Sequence, residues 1–226
     1  RKERISYQLS RISPSICYVK YVQRQMVSLV DRFLALSGFE KQQIARIFNV
    51  PEKKVRVVPN GIDEMFICSE PKKENKFSRR CGIKDYVLHV GQFNRNKNQI
   101  VLISALRDTE IPLICIGQVT DNSYYQRCVE MKSKNMIFLE PISNASEELV
   151  DIYSAARVFV LPSIREAYPL TVLEALACNI QVLVTKTSMI GSDLDSYGIV
   201  KINAERELEI KESIQKIYYN GEKRKK

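Results

Sequence analysis

The stretch that decides the fold is Met136–Ala177, which reads MIFLEPISNASEELVDIYSAARVFVLPSIREAYPLTVLEALA. Two short apolar runs, Met136–Leu139 and Val158–Leu161, each lead into a segment whose apolar residues have helical spacing. Short runs without strict alternation are typical of strands that are covered on both faces. A strand, a helix and a second strand in this order indicate a right-handed βαβ unit of a parallel sheet.

The same alternation of strand and helix extends in both directions from this unit. Further strands are predicted at Phe33–Leu36, Val55–Val58, Tyr86–Val90, Leu113–Ile116, Gln181–Val184 and Gly198–Ile202. Helices are predicted at Ile16–Val30, Glu40–Phe48, Gln99–Leu106, Tyr124–Met131, Glu147–Ala155, Leu170–Ala177 and Glu205–Tyr219. The pattern therefore predicts an α/β, Rossmann-like parallel sheet with helices on both faces.

Turn-forming residues at Pro59–Asp63 mark a domain boundary. Residues 1–60 contain two predicted strands, too few to close a sheet, and residues 61–220 contain six. Residues 221–226 form a basic tail, and the polar stretch Ser69–Lys84 is predicted to be an exposed connector. The Rossmann-like domain is therefore expected at residues 61–220.

Composition narrows the class of protein. The chain has 226 residues, of which 45% are hydrophobic and 27% charged, so it is not wholly disordered. The net charge of +9 is concentrated at the two ends, and residues 1–56 hold 12 Lys and Arg against four Asp and Glu. Basic ends suit anionic lipid, a missing acidic partner surface or plain solubility, and no nucleic-acid motif accompanies them. No apolar run is long enough for a membrane helix.

Cysteine and histidine usage argues against a metal site. The six cysteines are widely spaced and form no Cys-x-x-Cys pair, so we expect free thiols in a reducing cytosol. The single histidine, His89, lies in the apolar run Tyr86–Gly91, where a core or strand-end role is expected. No metal and no resident cofactor are predicted.

Two predicted strand ends carry polar residues, and ligands of open parallel sheets bind at such ends. The loop after Tyr86–Val90 holds Arg95 and Lys97, has no acidic residue and leads into a helix. A helix start beside two cations suits a phosphate group, although a solvated basic loop is an equal alternative.

The loop after Val158–Leu161 holds Glu166, and the helix that follows it holds Glu174. Pro169 suits the first turn of that helix, where the free amides can bind an anion. Carboxylates suit sugar hydroxyls, because each oxygen accepts from an O–H. The alternative is a helix cap and a surface glutamate.

Four segments of the chain occur in a characteristic order. They are Val55–Asp63 (VRVVPNGID), His89–Lys97 (HVGQFNRNK), Leu113–Gln118 (LICIGQ) and Met136–Ala177. Together they resemble the nucleotide-sugar half of the retaining family 4 glycosyltransferases of the GT-B fold, from about Val30 to about Tyr219. The most specific part is the Glu-x7-Glu motif, Glu166 to Glu174, behind a strand that ends Leu161-Pro162-Ser163.

The resemblance implies roles for individual residues. Glu166 would contact the donor sugar, Glu174 the ribose and Lys97 the diphosphate, and Glu166 and Lys97 would be the catalytic pair. The backbone amides of Leu170 and Thr171 would bind phosphate. The full set of implied donor-binding residues is Gly91, Gln92, Arg95, Lys97, Glu140, Ile142, Glu166, Tyr168, Leu170, Thr171 and Glu174.

The chain also departs from the family pattern. Gln92 stands where the family usually has an arginine, and an amide does not replace a planar cation at a diphosphate. Arg95 is the candidate substitute. Residues 1–60 resemble only the end of the N-terminal, acceptor-side domain, so we expect a missing N-terminal domain or a partner chain.

The implied function is retaining transfer of a sugar from a nucleotide-sugar, with a UDP-linked donor favoured, to a glycan or lipid-linked acceptor. The expected setting is bacterial surface polysaccharide synthesis in the cytoplasm, with peripheral contact at the inner face of the membrane. The chain alone is expected to bind donor with little transfer. Two alternatives are a related binding module without catalysis and an unrelated basic Rossmann-type domain that binds nucleic acid or protein.

Overall fold

The computed structural model describes residues 22–23, 25–67, 76–144, 146–188, 194 and 197–220. The chain divides into two compact units, Arg1–Pro59 and Asn60–Lys226. Each unit has its own parallel sheet, and the larger one carries the predicted site residues.

The first unit is built on two parallel strands, β1 (Phe33–Ala35) and β2 (Val55–Val57). Helix α1 (Gly38–Phe48) connects them and begins at Ser37, whose hydroxyl accepts from the Glu40 amide at 3.1 Å. A short 3₁₀ turn, Glu52–Lys54, precedes β2. No residue of α1 is fully buried. The exposed apolar side chains of this unit include Met26, Leu29, Leu34, Phe39 and Ile47.

The second unit contains a six-stranded, all-parallel sheet. Its strands are β3 (Val87–Val90), β4 (Leu113–Ile116), β5 (Met136–Leu139), β6 (Val158–Leu161), β7 (Gln181–Thr185) and β8 (Val200–Ile202). Its helices are α2 (Lys76–Cys81), α3 (Gln99–Leu106), α4 (Asn122–Met131), α5 (Glu147–Ala155), α6 (Leu170–Ala177) and α7 (Glu207–Asn220). The strand order is β5-β4-β3-β6-β7-β8.

Helices cover both faces of this sheet. Helices α3, α4 and α7 contribute apolar side chains, among them Leu102 and Ile210, to the core on one face. Helices α2, α5 and α6 contribute Phe77, Ile152 and Val172 to the core on the other face. The predicted fold class, a Rossmann-like parallel sheet with helices on both faces, is confirmed. No helix in the described ranges is long and apolar enough to cross a membrane.

The predicted elements of the larger unit agree with the structure to within two residues at each end, with one exception. The prediction that Ser69–Lys84 is an exposed connector was wrong for residues 76–84, because Lys76–Cys81 forms α2 and Phe77 is buried. Residues 69–75 of this stretch lie outside the described residues. The Phe77 ring meets Tyr86 edge to face at 6.0 Å between centroids. Of the predicted helix Ile16–Val30, residues 22–23 and 25–29 are helical, and residues 16–21 and 24 lie outside the described residues.

Strands β3 and β4 approach closely just beyond their ends. The Gly91 amide donates to the Ile116 carbonyl at 2.9 Å, and a Cβ placed on Gly117 would lie 2.1 Å from the Gly91 carbonyl oxygen. Since that oxygen belongs to the backbone, the clash cannot be relieved by a rotamer change. Residue 117 must therefore be glycine if the β3–α3 loop (residues 91–98) is to keep its place.

We predict that Gly117→Ala lowers the free energy of unfolding by about 2 kcal/mol or more, because backbone must move to admit the methyl group. Gly61→Ala is the matched control, since a Cβ there has nothing within 4 Å. Urea denaturation followed by circular dichroism measures both. Equal stability of the two variants would contradict the prediction.

Candidate functional site

The candidate site lies where the strand order reverses. Strands β3 and β6 are neighbours in the sheet, but the chain passes from β3 towards β4 and β5 and from β6 towards β7 and β8. Helix α3 packs on one face and α6 on the other, so the two loops leave in opposite directions. In doubly wound sheets the crevice between such loops is the usual ligand site.

The two loops bring a cation and a carboxylate together in this crevice. Lys97 Nζ, from the β3–α3 loop, lies 2.5 Å from Glu166 Oε1, from the β6–α6 loop (residues 162–169). Their side chains are only 20% and 13% exposed. An ion pair at this depth is screened less than a surface pair, so its charges act strongly on a ligand.

Asn96 holds the two loops in register. Its side-chain amide donates to the Arg165 carbonyl at 3.0 Å, and its Oδ1 accepts from the Arg165 amide at 3.2 Å. Its own carbonyl accepts from the Ile164 amide at 2.8 Å. One residue of the β3–α3 loop thus fixes the backbone that precedes Glu166.

The Gln99 side chain holds the start of the β3–α3 loop by hydrogen bonds to its backbone. This buried side chain donates to the carbonyl of Gln92 at 2.8 Å and more weakly to that of Gly91 at 3.4 Å. The Gln92 side chain is exposed and has one long contact, at 3.4 Å, with Asn94. The backbone of Gln92 is therefore fixed, while its amide group faces solvent.

Arg95, the candidate substitute for the family's arginine, is directed towards helix α4. Its side chain is 76% exposed, and its Nε lies 3.7 Å from Oδ2 of Asp121, the residue that caps α4. The pKa of Asp121 is lowered, chiefly by the hydrogen bond from the Tyr124 amide, with Arg95 a smaller contribution. Arg95 is paired with this carboxylate rather than with Glu166.

The N-terminus of α6 points its first amides towards the crevice without a side-chain cap. Pro169 precedes the helix and forms no capping hydrogen bond, and Leu170 and Thr171 occupy the first turn. Thr171 Oγ1 is buried and has no hydrogen-bond partner among the described residues. Tyr168 is buried, and its carbonyl accepts from the Asn60 amide group at 3.1 Å.

The other helix start beside the crevice is already occupied. In α3 the Ile100 amide donates to the Tyr124 hydroxyl at 3.0 Å. Asn98, just before the helix, has a left-handed backbone, and its side chain donates to the carbonyls of Pro162 and Ala204. Of these two helix starts, that of α6 is the better placed to bind an anion.

Glu174 lies one turn into α6 and is only 6% exposed. Its Oε2 accepts from the Tyr153 hydroxyl of helix α5 at 2.8 Å. Burial raises the pKa of Glu174, and the hydrogen bond from Tyr153 opposes the rise. Tyr153 gave no signal in the sequence, because its partner lies 21 residues away on another helix.

Two further predicted residues follow strand β5, at the far side of β4. Glu140 is exposed, and Ile142 is half-buried against the core. With neighbouring strands about 4.8 Å apart, the end of β5 lies about 10 Å from that of β3. A ligand that reached from Lys97 to Glu140 would have to span this width.

His89 lies in β3 beneath the β3–α3 loop and is fully buried, as predicted. Its Nδ1 lies 3.0 Å from the Val160 carbonyl, which can only accept, so the proton of the neutral ring is on Nδ1. Nε2 has no partner in the described parts of the chain. Burial lowers the pKa of His89 to about 4, and the charge of Lys97 adds to the effect.

The cysteines that the structure describes, Cys81, Cys115, Cys128 and Cys178, are free. Cys17 and Cys68 lie outside the described residues. Within the described ranges no three side chains of His, Cys, Asp or Glu are grouped so as to hold a metal ion.

The fold is a doubly wound parallel sheet with a charged crevice where its strand order reverses. Comparison with known proteins identifies the family. Residues 71–226 match the family model described as Glycosyl transferases group 1, and residues 6–66 match that of Glycosyltransferase Family 4. The chain therefore belongs to the group 1 glycosyltransferase family.

Curated relatives are similar over most of this chain but are themselves longer. The O-antigen chain mannosyltransferase RfbU of Salmonella typhimurium is 26% identical over 88% of this chain and 54% of its own length. The α-galactosylglucosyldiacylglycerol synthase of Streptococcus pneumoniae is 28% identical over 92% of this chain and 63% of its own. The chain thus spans about half the length of such relatives.

Solved structures share the fold at low identity. Sucrose-phosphate synthase from Thermosynechococcus elongatus superposes with a TM-score of 0.73 at 20% identity, covering 89% of this chain and 52% of that one. HepE of Anabaena, solved in complex with UDP and glucose, gives a TM-score of 0.71 at 14% identity, covering 84% and 54%. These neighbours place the chain in the GT-B fold.

We predict that Glu174→Gln raises the melting temperature at about pH 8 and that the gain shrinks towards about pH 4. The folded-state pKa of Glu174 is raised, so the folded protein binds more protons than the unfolded chain, and stability falls as pH rises through that pKa. Differential scanning fluorimetry measures the effect, with the exposed Glu130→Gln as control. A lower melting temperature for Glu174→Gln at the higher pH would contradict it.

His89 should give the opposite pH dependence. Its pKa falls from 6.5 to about 4 on folding, so the unfolded chain binds the proton more tightly and stability is lost as pH falls across this window. The full effect is on the order of 3 kcal/mol. In His89→Asn we expect the side-chain amide to donate to the Val160 carbonyl in place of Nδ1, and this acid-dependent loss should disappear from pH-dependent denaturation curves. An unchanged acid limb in the variant would refute the assignment.

Proposed function

We propose that this chain is the donor-binding part of a retaining glycosyltransferase that transfers a sugar from a nucleotide-sugar to a glycan or lipid-linked acceptor. The observation that carries the proposal is the Lys97–Glu166 pair in the crevice between β3 and β6, beside the uncapped start of α6. A cation and free helix amides suit a diphosphate, and a carboxylate suits sugar hydroxyls. A nucleotide-sugar presents both groups next to each other.

Lys97 and the first amides of α6 would act on the leaving diphosphate. Negative charge grows on that group as the bond to the sugar breaks, and donors that are already in place stabilise it without reorganising. Glu166 would hold the sugar hydroxyls and so orient the anomeric carbon. In the free protein Lys97 and Glu166 neutralise each other, and the donor would separate them by supplying a new partner to each.

Glu174 would bind the ribose. Its Oε2 is held by Tyr153, which fixes the carboxylate and leaves Oε1 to accept from a ribose hydroxyl. The base would lie towards Glu140 and Ile142 at the end of β5, about 10 Å across the sheet, which is comparable to the length of a nucleoside diphosphate. Gly91 would let the donor approach the loop backbone closely.

Named relatives support the choice of substrates. Relatives include an O-antigen mannosyltransferase and a glycosyl-diacylglycerol synthase, and HepE has been solved with UDP and glucose. We favour a UDP-linked donor and an acceptor in surface polysaccharide or glycolipid synthesis, at the cytoplasmic face of the membrane. The basic ends of the chain would favour peripheral contact with anionic lipid.

The chain alone should bind donor with little transfer. It covers about half the length of its relatives, and its first unit exposes apolar side chains such as Leu34, Phe39 and Ile47. We propose that an N-terminal acceptor-side domain or a partner chain covers this surface. Robust turnover by the purified chain on a defined acceptor would contradict this part of the proposal.

One observation favours a second function, a binding module of the same ancestry without catalysis. The exposed amide of Gln92 replaces the family's arginine, and Arg95 is engaged with Asp121. Diphosphate stabilisation would then rest on Lys97 and the amides of α6. This alternative predicts donor affinity but no transfer after the acceptor-side domain is supplied.

Donor binding is tested by ligand-observed NMR of the chain with UDP, GDP and ADP and their sugar conjugates. We expect selective binding of one nucleotide, with at least a tenfold loss of affinity in Lys97→Ala and in Glu174→Ala, because each loses a charge-assisted contact. Arg80→Ala is the matched control, since Arg80 also pairs with a carboxylate, Glu148 at 2.6 Å, but belongs to neither loop of the crevice. Absence of binding to all three nucleotides and their conjugates would refute the proposed donor site.

A further inference from the structure

The segment that follows β7 runs beside the loop that carries Glu166. The Thr185 hydroxyl donates to the Ser163 carbonyl and the Thr187 hydroxyl to the Ile164 carbonyl, both at 2.7 Å. Beyond them, Ser188 and Glu166 form an isolated parallel bridge. Residues paired in this way stand opposite each other and project their side chains to the same side of the strands.

The Ser188 hydroxyl makes no hydrogen bond within the part of the chain that the structure describes. Ser188 is 8% exposed, and its Oγ has no hydrogen-bond partner among the described residues. Buried hydroxyl groups are rarely left without a partner, because they lose their hydrogen bonds to water without a replacement. A hydroxyl can donate one hydrogen bond, and the side chain opposite it, Glu166, is an acceptor.

Glu166 would need a new donor when substrate arrives. In the free protein its Oε1 is neutralised by Lys97, the cation that the proposed function assigns to the diphosphate. Once Lys97 turns to the diphosphate, Glu166 is left as a carboxylate in a largely buried position. Such a carboxylate is costly unless another hydrogen-bond donor replaces the cation.

We propose that Ser188 is a positioning residue for Glu166. Its hydroxyl donates to the carboxylate once Lys97 has moved to the diphosphate, and it holds the carboxylate against the hydroxyls of the donor sugar. The inference rests on the proposed donor site and adds a residue that determines how well the sugar is held. The hydroxyls of Ser163 and Thr171 also lack a partner within the described ranges, but neither residue stands opposite Glu166.

The test compares affinities for UDP-glucose and UDP, measured by isothermal titration calorimetry on the full chain. Ser188→Ala should weaken UDP-glucose binding about fivefold to tenfold, the size expected for one lost hydrogen bond, and leave UDP binding within about twofold. Ser188→Thr, which keeps the hydroxyl, should restore most of the difference. Ser163→Ala is the control, since it removes a buried, partnerless hydroxyl from the end of β6 without facing Glu166.

A double-mutant cycle shows whether Ser188 acts through Glu166. In the Glu166→Ala background, where the side chain has no acceptor left, the further change Ser188→Ala should have no effect on the ratio of the two affinities. An unchanged ratio in the single Ser188→Ala variant, or an equal loss in both backgrounds, would overturn the role of Ser188 alone. Failure of the unsubstituted chain to bind either compound would overturn the UDP donor site, and the role of Ser188 with it. Melting temperatures of all variants separate these outcomes from loss of folding.

Discussion

The reversal of strand order between β3 and β6 is the constraint on which the rest of the site depends. Because the chain winds away from this point in both directions, none of the described helices crosses the gap between the two strand ends. Two loops from opposite faces border the gap, and each contributes one charged side chain, Lys97 and Glu166. The winding of the sheet therefore creates both the space and the charge pair. The same arrangement leaves a partly buried ion pair and a buried carboxylate, Glu174, in the free protein.

Much of the fold is encoded locally, which is why it can be predicted from sequence. The strands β4, β5 and β6 are short apolar runs bounded by proline, glycine or polar residues, and their predicted ends match the structure. The sequence did not predict helix α2, because Phe77 stands among charged residues there. The burial of Phe77 depends on Tyr86 and on helix α5, which are distant in the chain. No local periodicity reports a contact of that kind.

The candidate site was predictable only where the chain carries a recognisable motif. The Glu-x7-Glu spacing and the strand before it indicate Glu166 and Glu174, and the basic loop indicates Lys97. Asn96, Tyr153 and Ser188 stayed hidden. Each acts on a residue that is distant in the chain, and an Asn, a Tyr or a Ser in isolation indicates no particular chemistry. Pairing across strands and helices, which the sequence does not display, gives them their importance.

The three hydrogen bonds of Asn96 couple the backbones of the two loops, so that the loops move together. A displacement of the lysine-bearing loop is transmitted directly to the backbone just before the carboxylate, so the two halves of the crevice cannot adjust to a ligand independently. The spacing between the two loop backbones that carry the cation and the carboxylate is thereby set by the protein, while the two side chains can still turn towards a ligand. Such a crevice favours ligands whose size matches the fixed spacing of the two loops. Relaxed selectivity would follow most readily from changes at Asn96, even though this residue need not touch the ligand at all.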